Sequence, residues 1–279
     1  MRAIVLLVVS LVAFLLGSGC VQGPVPSADE NLSISVTIPP LAEMVEAIGG
    51  DHVRVTIILP PGADPHSYEL TPSQLVAISD ADVVVAAGSR LPFEDRLLES
   101  LTGIRPNLTV VNASEGIALL DNDPHYWLTP RNAKVMVDNI ASALCAKDSS
   151  RCGTYTANRD AYRNRLDEAD VRIRATLAQA RINTFLVVHS AWRYFAVEYE
   201  LTEIAIEEEG KEPSAARLAE LVRIAREKGI RVVFVEPQFS TRTAETMAAQ
   251  INGTVVRIDD LARNYVENLE QVATALKEA

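Results

Sequence analysis

The sequence predicts an α/β protein with two similar lobes, each a mostly parallel sheet flanked by helices, joined by one long rigid helix. Short apolar strand patterns alternate with helical patterns over residues 33–146, and the alternation restarts over residues 184–277. Strands and helices that alternate at this spacing are typical of parallel sheets. Residues 154–181 lie between the two runs, contain no proline or glycine and carry apolar side chains at helical spacing. They predict a helix of about 40 Å that connects the lobes.

In the first half of the chain, proline, glycine and capping residues divide the pattern into separate elements. Pro39 and Pro40 end the first strand, and Gly49-Gly50 closes the helix that follows. Thr71 is a suitable N-cap, with Pro72 in the first helical position. The predicted strands are 33–38, 53–59, 82–87 and 108–111, and the predicted helices are 41–48, 72–78, 93–101 and 132–146.

The second half repeats this arrangement. Ser214 is placed to cap a helix that Gly229 would close. The charged segment 207–213 predicts a solvated loop. The predicted strands are 184–188, 204–206, 231–235 and 254–258, and the predicted helices are 191–199, 214–228, 241–250 and 263–277.

The N-terminus has the features of an export signal. Arg2 precedes an apolar run at 3–16, which is shorter than the ~20 residues that a spanning helix needs. Gly17-Ser18-Gly19-Cys20 resembles a lipoprotein signal, so we expect a lipid on Cys20 to anchor the protein to the outer face of the cytoplasmic membrane. Plain cleavage and a retained anchor are the alternatives. The predicted organisation is a signal peptide at 1–19, a tether at 20–31, a first lobe at 32–152, the connecting helix at 153–182 and a second lobe at 183–279.

Composition narrows the function further. The 279 residues are 48% hydrophobic and 23% charged, as in folded soluble proteins. The net charge of −11 argues against nucleic acid as a partner. After Cys20, the remaining cysteines are Cys145 and Cys152. Because an exported protein can form disulfides, these two would either close a small loop or stay as free thiols.

Three of the four histidines follow predicted strands or a short apolar run. His66 and His125 each end the tripeptide Asp-Pro-His, and His189 directly follows the strand at 184–188. Ligand-binding residues of open α/β sheets lie beyond the carboxyl ends of strands, and Asp259 occupies the corresponding position after the last strand. His52 lies at the start of a strand, so we interpret it as a structural or a surface residue.

Three imidazoles and one carboxylate suit zinc, which binds nitrogen and oxygen ligands, usually four of them. Manganese is the alternative, although it usually takes more carboxylates. Each residue also has a structural explanation: His125 in a turn, His189 in the core, and Asp259 as a helix cap. Asp260 competes with Asp259 for the ligand role, and Glu236 is a further carboxylate at a strand end.

The sequence resembles the zinc/manganese-specific solute-binding lipoproteins of ABC importers. The motifs are Gly62-Ala63-Asp64-Pro65-His66-Ser67-Tyr68-Glu69, Asp123-Pro124-His125-Tyr126-Trp127-Leu128, His189-Ser190-Ala191-Trp192-Arg193-Tyr194-Phe195, Glu212-Pro213-Ser214, Phe234-Val235-Glu236-Pro237-Gln238 and Ile258-Asp259-Asp260-Leu261. The resemblance implies two four-stranded lobes, a rigid helix and a metal held by His66, His125, His189 and Asp259. It also implies delivery to an ABC permease and its ATPase, by a receptor that we expect to be a monomer.

The chain departs from the family pattern at two points. It has no long loop rich in histidine and acidic residues near His125, and it has Asp259-Asp260 where Asp-Pro is usual. Histidine at position 189 resembles the zinc-type receptors, since manganese-type receptors often have glutamate there. The long helix should limit closure of the lobes, so we expect metal release by a local loop movement.

Two other functions compete with the receptor. One is an adhesin or structural lipoprotein in which the metal only stabilises the fold. The other is a zinc hydrolase, with Glu236 as a base if Asp259 is not a ligand. Four protein ligands would leave no open position for a catalytic water, and no nucleophile motif is present. We therefore do not expect an enzyme.

Overall fold

Two parallel sheets of the same topology form the framework of the protein. A computed structural model describes residues 31–121, 123–181, 183–207, 211 and 213–279. The predicted signal peptide, Cys20 and nearly all of the predicted tether lie outside these residues. Within the described part, no helix combines the length and apolar character needed to cross a bilayer.

The first sheet has the strand order β2-β1-β3-β4, with all neighbours parallel. The central strands β1 and β3 are the most buried, and β2, at the edge, alternates half-buried and exposed residues. The strands are β1 Leu32–Val36, β2 Val53–Ile57, β3 Val83–Ala86 and β4 Thr109–Asn112. The helices are α1 Pro39–Gly49, α2 Pro72–Ser79, α3 Pro92–Ile104 and α4 Pro130–Lys147.

The second sheet has the order β6-β5-β7-β8, also parallel, which repeats the first topology strand for strand. Both sheets therefore present the loops after their strands at one edge. The strands are β5 Thr184–Val187, β6 Thr202–Ala205, β7 Val232–Val235 and β8 Thr254–Arg257. The helices are α6 Arg193–Glu198, α7 Ala215–Lys228, α8 Thr241–Gln250 and α9 Tyr265–Glu278.

The long helix α5, Cys152–Leu177, joins the two halves and has 26 residues, or about 39 Å. It packs against α1, α4 and α9. Its first residue forms a disulfide with Cys145 at the end of α4. One buried core runs from the first sheet past α5 to Phe185 and Trp192 of the second half. This shared core supports the prediction of a rigid connection, although the lobe boundaries at 152/153 and 182/183 stay predictions.

The predicted fold class is confirmed, and most element ends lie within two residues of their predicted positions. Thr71 forms the expected cap on α2, with its hydroxyl accepting the Gln74 amide. Helix α6 begins at Arg193, two residues later than predicted. The Ala191 amide donates to the His189 carbonyl at 3.0 Å instead, so a tight turn after β5 displaces the expected first helical turn.

Candidate metal centre

Three imidazole rings converge where the loops of the two sheets meet. The Nε2 atom of His125 lies 3.2 Å from that of His66 and 3.4 Å from that of His189. The three ring centroids are 5.1 to 5.2 Å apart. Zinc–nitrogen bonds of 2.0–2.1 Å in a tetrahedron would place neighbouring nitrogens about 3.3 Å apart. The two measured distances match this value, so the three nitrogens can share one tetrahedral ion.

His66 is positioned by a turn within its own loop. Gly62, with φ of 75°, provides a left-handed turn after the two prolines that follow β2. Asp64 Oδ1 then accepts the His66 amide at 2.9 Å, and Asp64 Oδ2 accepts the Ser67 hydroxyl at 2.7 Å. Because aspartate commonly bonds the backbone two residues on, this turn is a local property of the sequence.

His125 is held more tightly. Asp123 Oδ1 accepts the His125 amide at 2.9 Å and also lies 2.8 Å from Nδ1 of the ring. The ring is 2% exposed and packs edge-on against Trp127. A carboxylate at Nδ1 favours the proton on that nitrogen, which leaves the Nε2 lone pair free for a metal.

His189 follows β5 and is oriented by groups from other loops. Its ring stacks on Phe239, with centroids 4.6 Å apart. Its Nδ1 lies 3.6 Å from Glu207 Oε2. The sequence placed Glu207 in a solvated loop, which is wrong for this residue, since its carboxylate is half-buried beside His189. Its position directly after β6, at the same sheet edge as His189, was the signal that could have found it.

The carboxylates after β7 and β8 differ in their surroundings. Ligand atoms of His66, His125 and His189 all lie within 4.8 Å of one another. Among the described residues, no carboxylate belongs to this group. Asp259 Oδ1 accepts the Leu261 amide at 2.9 Å and lies 3.5 Å from the Gln238 amide nitrogen. Its role as fourth ligand therefore stays a prediction.

Asp260 and Glu236 are deeply buried, with 3% and 1% of their surface exposed. The main-chain carbonyl of Asp260 accepts the Trp127 indole N–H at 2.7 Å, and Glu236 Oε1 accepts that of Trp192 at 3.1 Å. Asp260 Oδ1 and Glu236 Oε2 have no hydrogen-bond partner within the described part of the chain. Both carboxylates thus retain an unpaired acceptor atom.

The electrostatics of the centre shift the pKa values of His66 and His189 in opposite directions. Burial, with His125 and His189 adding to it, lowers the pKa of His66 to about 4. Burial also acts to lower the pKa of His189, but Glu207 and Asp260 outweigh it and raise that pKa. Burial raises the pKa of Asp260 to about 6 against the opposing effect of His125 and His189. A metal dication would bind the neutral imidazole of His66 and neutralise the surrounding carboxylates.

The fourth histidine is separate from this centre. The His52 ring lies edge-on to Tyr155 of α5, with centroids 6.5 Å apart. It therefore contacts the connecting helix at the opposite end of the sheet, in agreement with its predicted structural role.

Comparison with known proteins identifies the family. A family model described as "ZnuA: Zinc-uptake complex component A periplasmic" matches residues 34–279. The chain belongs to the ZnuA family. This confirms the resemblance to metal-specific solute-binding proteins that the motifs carried.

Individual members of the ZnuA family align along most of the chain. The high-affinity zinc uptake system protein ZnuA of Bacillus subtilis is 28% identical over 94% of this chain and 92% of its own length. A crystal structure of ZnuA is 37% identical, with a TM-score of 0.86, and covers 90% of this chain and 99% of that one. The Zn(II)-bound ZnuA-like domain of Streptococcus pneumoniae AdcA is 28% identical, with a TM-score of 0.77 over 89% of this chain and 98% of that one.

Proposed function

We propose that this protein is an extracytoplasmic receptor that binds a divalent transition metal as cargo and delivers it to an ABC permease driven by an ATPase. Zinc is the expected metal and manganese the alternative. His66, His125 and His189 would bind the ion through Nε2, and Asp259 is the predicted fourth ligand. One observation carries the proposal. The Nε2 atom of His125 lies 3.2 Å from that of His66, which is 59 positions earlier in the chain, and 3.4 Å from that of His189, which is 64 positions later.

The donor set supports zinc over other metals. Three imidazole nitrogens match the preference of zinc, whereas calcium and magnesium take oxygen ligands. Asp123 and Glu207 lie at the outer nitrogens of His125 and His189. Such carboxylates fix the tautomer and make the imidazole a stronger ligand.

Metal titration of the chelator-stripped mature protein tests the function. We expect one equivalent of zinc to bind a folded apo protein, with a smaller response to manganese. At a zinc concentration ~1,000 times the dissociation constant, stability should rise by about 4 kcal/mol, and His66→Ala should lose this gain. An apo protein that is unfolded would support the structural or adhesin alternative. If neither metal binds stoichiometrically, the receptor function is wrong.

The identity of the fourth ligand needs a separate test. Asp259→Ala and Asp260→Asn can be compared in the cobalt-substituted protein, whose visible spectrum reports the geometry and the ligands. If Asp259 is the ligand, Asp259→Ala changes this spectrum and Asp260→Asn leaves it close to that of the wild type. The reverse pattern would assign the carboxylate to Asp260.

We further propose that the receptor is exported, is anchored through a lipid on Cys20, acts as a monomer and has no enzymatic activity. Mass spectrometry of the membrane fraction should find diacylglycerol on Cys20 and none in Cys20→Ala. Light scattering of the protein lacking residues 1–20 should give the monomer mass with and without zinc. Zinc-dependent hydrolysis that Glu236→Gln abolishes would instead favour the hydrolase alternative.

A further inference from the structure

Tyr194 of α6 reaches across from the second half of the chain to the segment that carries His125. Its hydroxyl accepts the Leu120 amide at 2.7 Å and donates to the Asp123 carbonyl at 3.1 Å. The side chain is 5% exposed. Two backbone groups of one segment are thus joined by a single buried hydroxyl from the other half.

These bonds hold the segment of Asp123, the residue that contacts the candidate metal ligand His125. Asp123 gives its carbonyl to Tyr194 and its Oδ1 to both the amide and the ring Nδ1 of His125. Asp121, between Leu120 and Asp123, has a φ of 48°. Aspartate adopts this left-handed conformation more readily than most residues with a side chain. The Tyr194 hydroxyl holds the chain on either side of it.

We propose that Tyr194 is a positioning residue for His125: it fixes the backbone of Asp123, and Asp123 in turn orients the imidazole toward the metal. The hydroxyl makes no contact with the ion itself. Loss of the hydroxyl leaves the bond from the Asp123 amide to the Leu120 carbonyl, at 2.9 Å, and removes the bond that holds the Asp123 carbonyl. Asp123 is then held less firmly, so the imidazole samples orientations in which Nε2 no longer meets the other two nitrogens. This proposal rests on the proposed metal-receptor function.

Two neighbouring residues provide matched controls. Arg193 also connects α6 to this segment, through an ion pair of 2.7 Å with Asp121, but both side chains are exposed. Exposed ion pairs contribute little, so Arg193→Ala should have a small effect. Tyr199 is nearly as buried as Tyr194 and donates its hydroxyl to Asp170, away from the histidines. Tyr199→Phe therefore controls for the loss of a buried tyrosine hydroxyl.

The decisive experiment compares four variants. Three are the single substitutions Tyr194→Phe, Tyr199→Phe and Asp123→Asn, and the fourth combines Tyr194→Phe with Asp123→Asn. We expect Tyr194→Phe to weaken zinc binding about tenfold, mostly through faster dissociation, which is the effect of losing one to two hydrogen bonds. Tyr199→Phe should lower the melting temperature and leave zinc affinity unchanged. In the Asp123→Asn background, Tyr194→Phe should have almost no further effect, because both act through the same contact.

A readout without metal separates this proposal from the proposed function. In the metal-free protein, NMR signals of the His125 ring nitrogens and exchange of the Leu120 amide report the orientation directly. We expect Tyr194→Phe to shift the His125 signals and to speed exchange, while Tyr199→Phe changes neither. Unchanged His125 signals in Tyr194→Phe, or additive losses of affinity in the double variant, would overturn the positioning role. A wild type that binds no zinc would overturn the receptor function, and the NMR comparison would still decide the role of Tyr194.

Discussion

The two Asp-Pro-His segments share a local turn and differ in how the rest of the protein holds them. In each, the aspartate Oδ1 accepts the histidine amide two residues on, at 2.9 Å. Asp123 Oδ1 also lies 2.8 Å from Nδ1 of its imidazole, whereas the second oxygen of Asp64 accepts the Ser67 hydroxyl. The same tripeptide therefore produces one oriented ring and one ring with more freedom.

The contacts beyond each segment increase this difference. The segment of His125 is tied to the second half by Tyr194, by the bond from the Trp127 indole to Asp260, and by the Tyr265 hydroxyl, which lies within hydrogen-bonding distance of the carbonyls of Trp127 and Thr129. The segment of His66 is held by exposed or half-buried bonds from Arg96 and Gln74 to Tyr68. The His125 side of the centre is thus held in place by the rest of the protein, and the His66 side is held less firmly.

Removal of either imidazole should produce the largest effect. His66→Ala and His125→Ala should each weaken zinc binding by more than about 100-fold, since loss of an outer-shell partner alone costs 10–100-fold. The stabilities of the two variants without metal should differ. Because His125 is buried and bonded to Asp123, His125→Ala should lower the free energy of unfolding by about 2 kcal/mol. His66→Ala should lose little. Zinc titration measures the affinities and urea unfolding measures the stabilities, with His52→Ala as the control. Equal losses of stability in His66→Ala and His125→Ala would show that the two segments are held equally.

The two aspartates offer the next test. Asp123→Asn should weaken zinc binding about 10–100-fold, because it removes the charge at the His125 ring. Asp64→Asn should weaken it by less than about threefold, because the Asp64 carboxylate accepts the His66 amide and the Ser67 hydroxyl and not the ring. Competition with a chromophoric chelator gives both constants. Comparable losses would mean that the aspartates act through the turn and not through the ring.

A pH titration of the metal-free protein tests the environment of His66. Its folded pKa, lowered to about 4, lies below the 6.5 of the unfolded chain. The unfolded state therefore binds the proton first as the pH falls, so stability is present above pH 6.5 and is lost toward pH 4. His66→Ala should remove on the order of 2 kcal/mol of this pH dependence. Parallel curves for the two proteins, from urea midpoints at several pH values, would contradict the assignment.

The smallest effects are expected at the outer hydroxyls. Tyr265→Phe removes a buried hydroxyl placed to bond the His125 segment and should cost about 1–2 kcal/mol of stability. Tyr68→Phe removes a half-buried acceptor of the Gln74 side chain in the His66 segment and should cost less than about 0.5 kcal/mol. Thermal unfolding without metal compares them. A larger loss in Tyr68→Phe would show that the His66 segment is the better anchored of the two.

Short-range patterns were sufficient to predict the elements of this protein. Apolar alternation, Thr71 with Pro72, and Ser214 with Gly229 each act within a few residues, so the strands, helices and caps could be read from the chain. The three histidines could be predicted for a related reason, because each lies beyond a strand or apolar run and the loops of parallel strands meet at one edge. The resemblance to a known family then implied that His66, His125, His189 and Asp259 hold one metal.

The contacts that the histidine segments make with distant parts of the chain were decided by the tertiary structure. No local pattern connects Glu207 with His189, or Tyr194 with Asp123. The different surroundings of Asp259 and Asp260 were likewise visible only in the folded protein. The choice between a disulfide and free thiols at Cys145 and Cys152 likewise depended on how α4 meets α5. Local bonds specify a turn from a few neighbouring residues, whereas the orientation of a ring depends on whichever side chains the packed lobes place beside it.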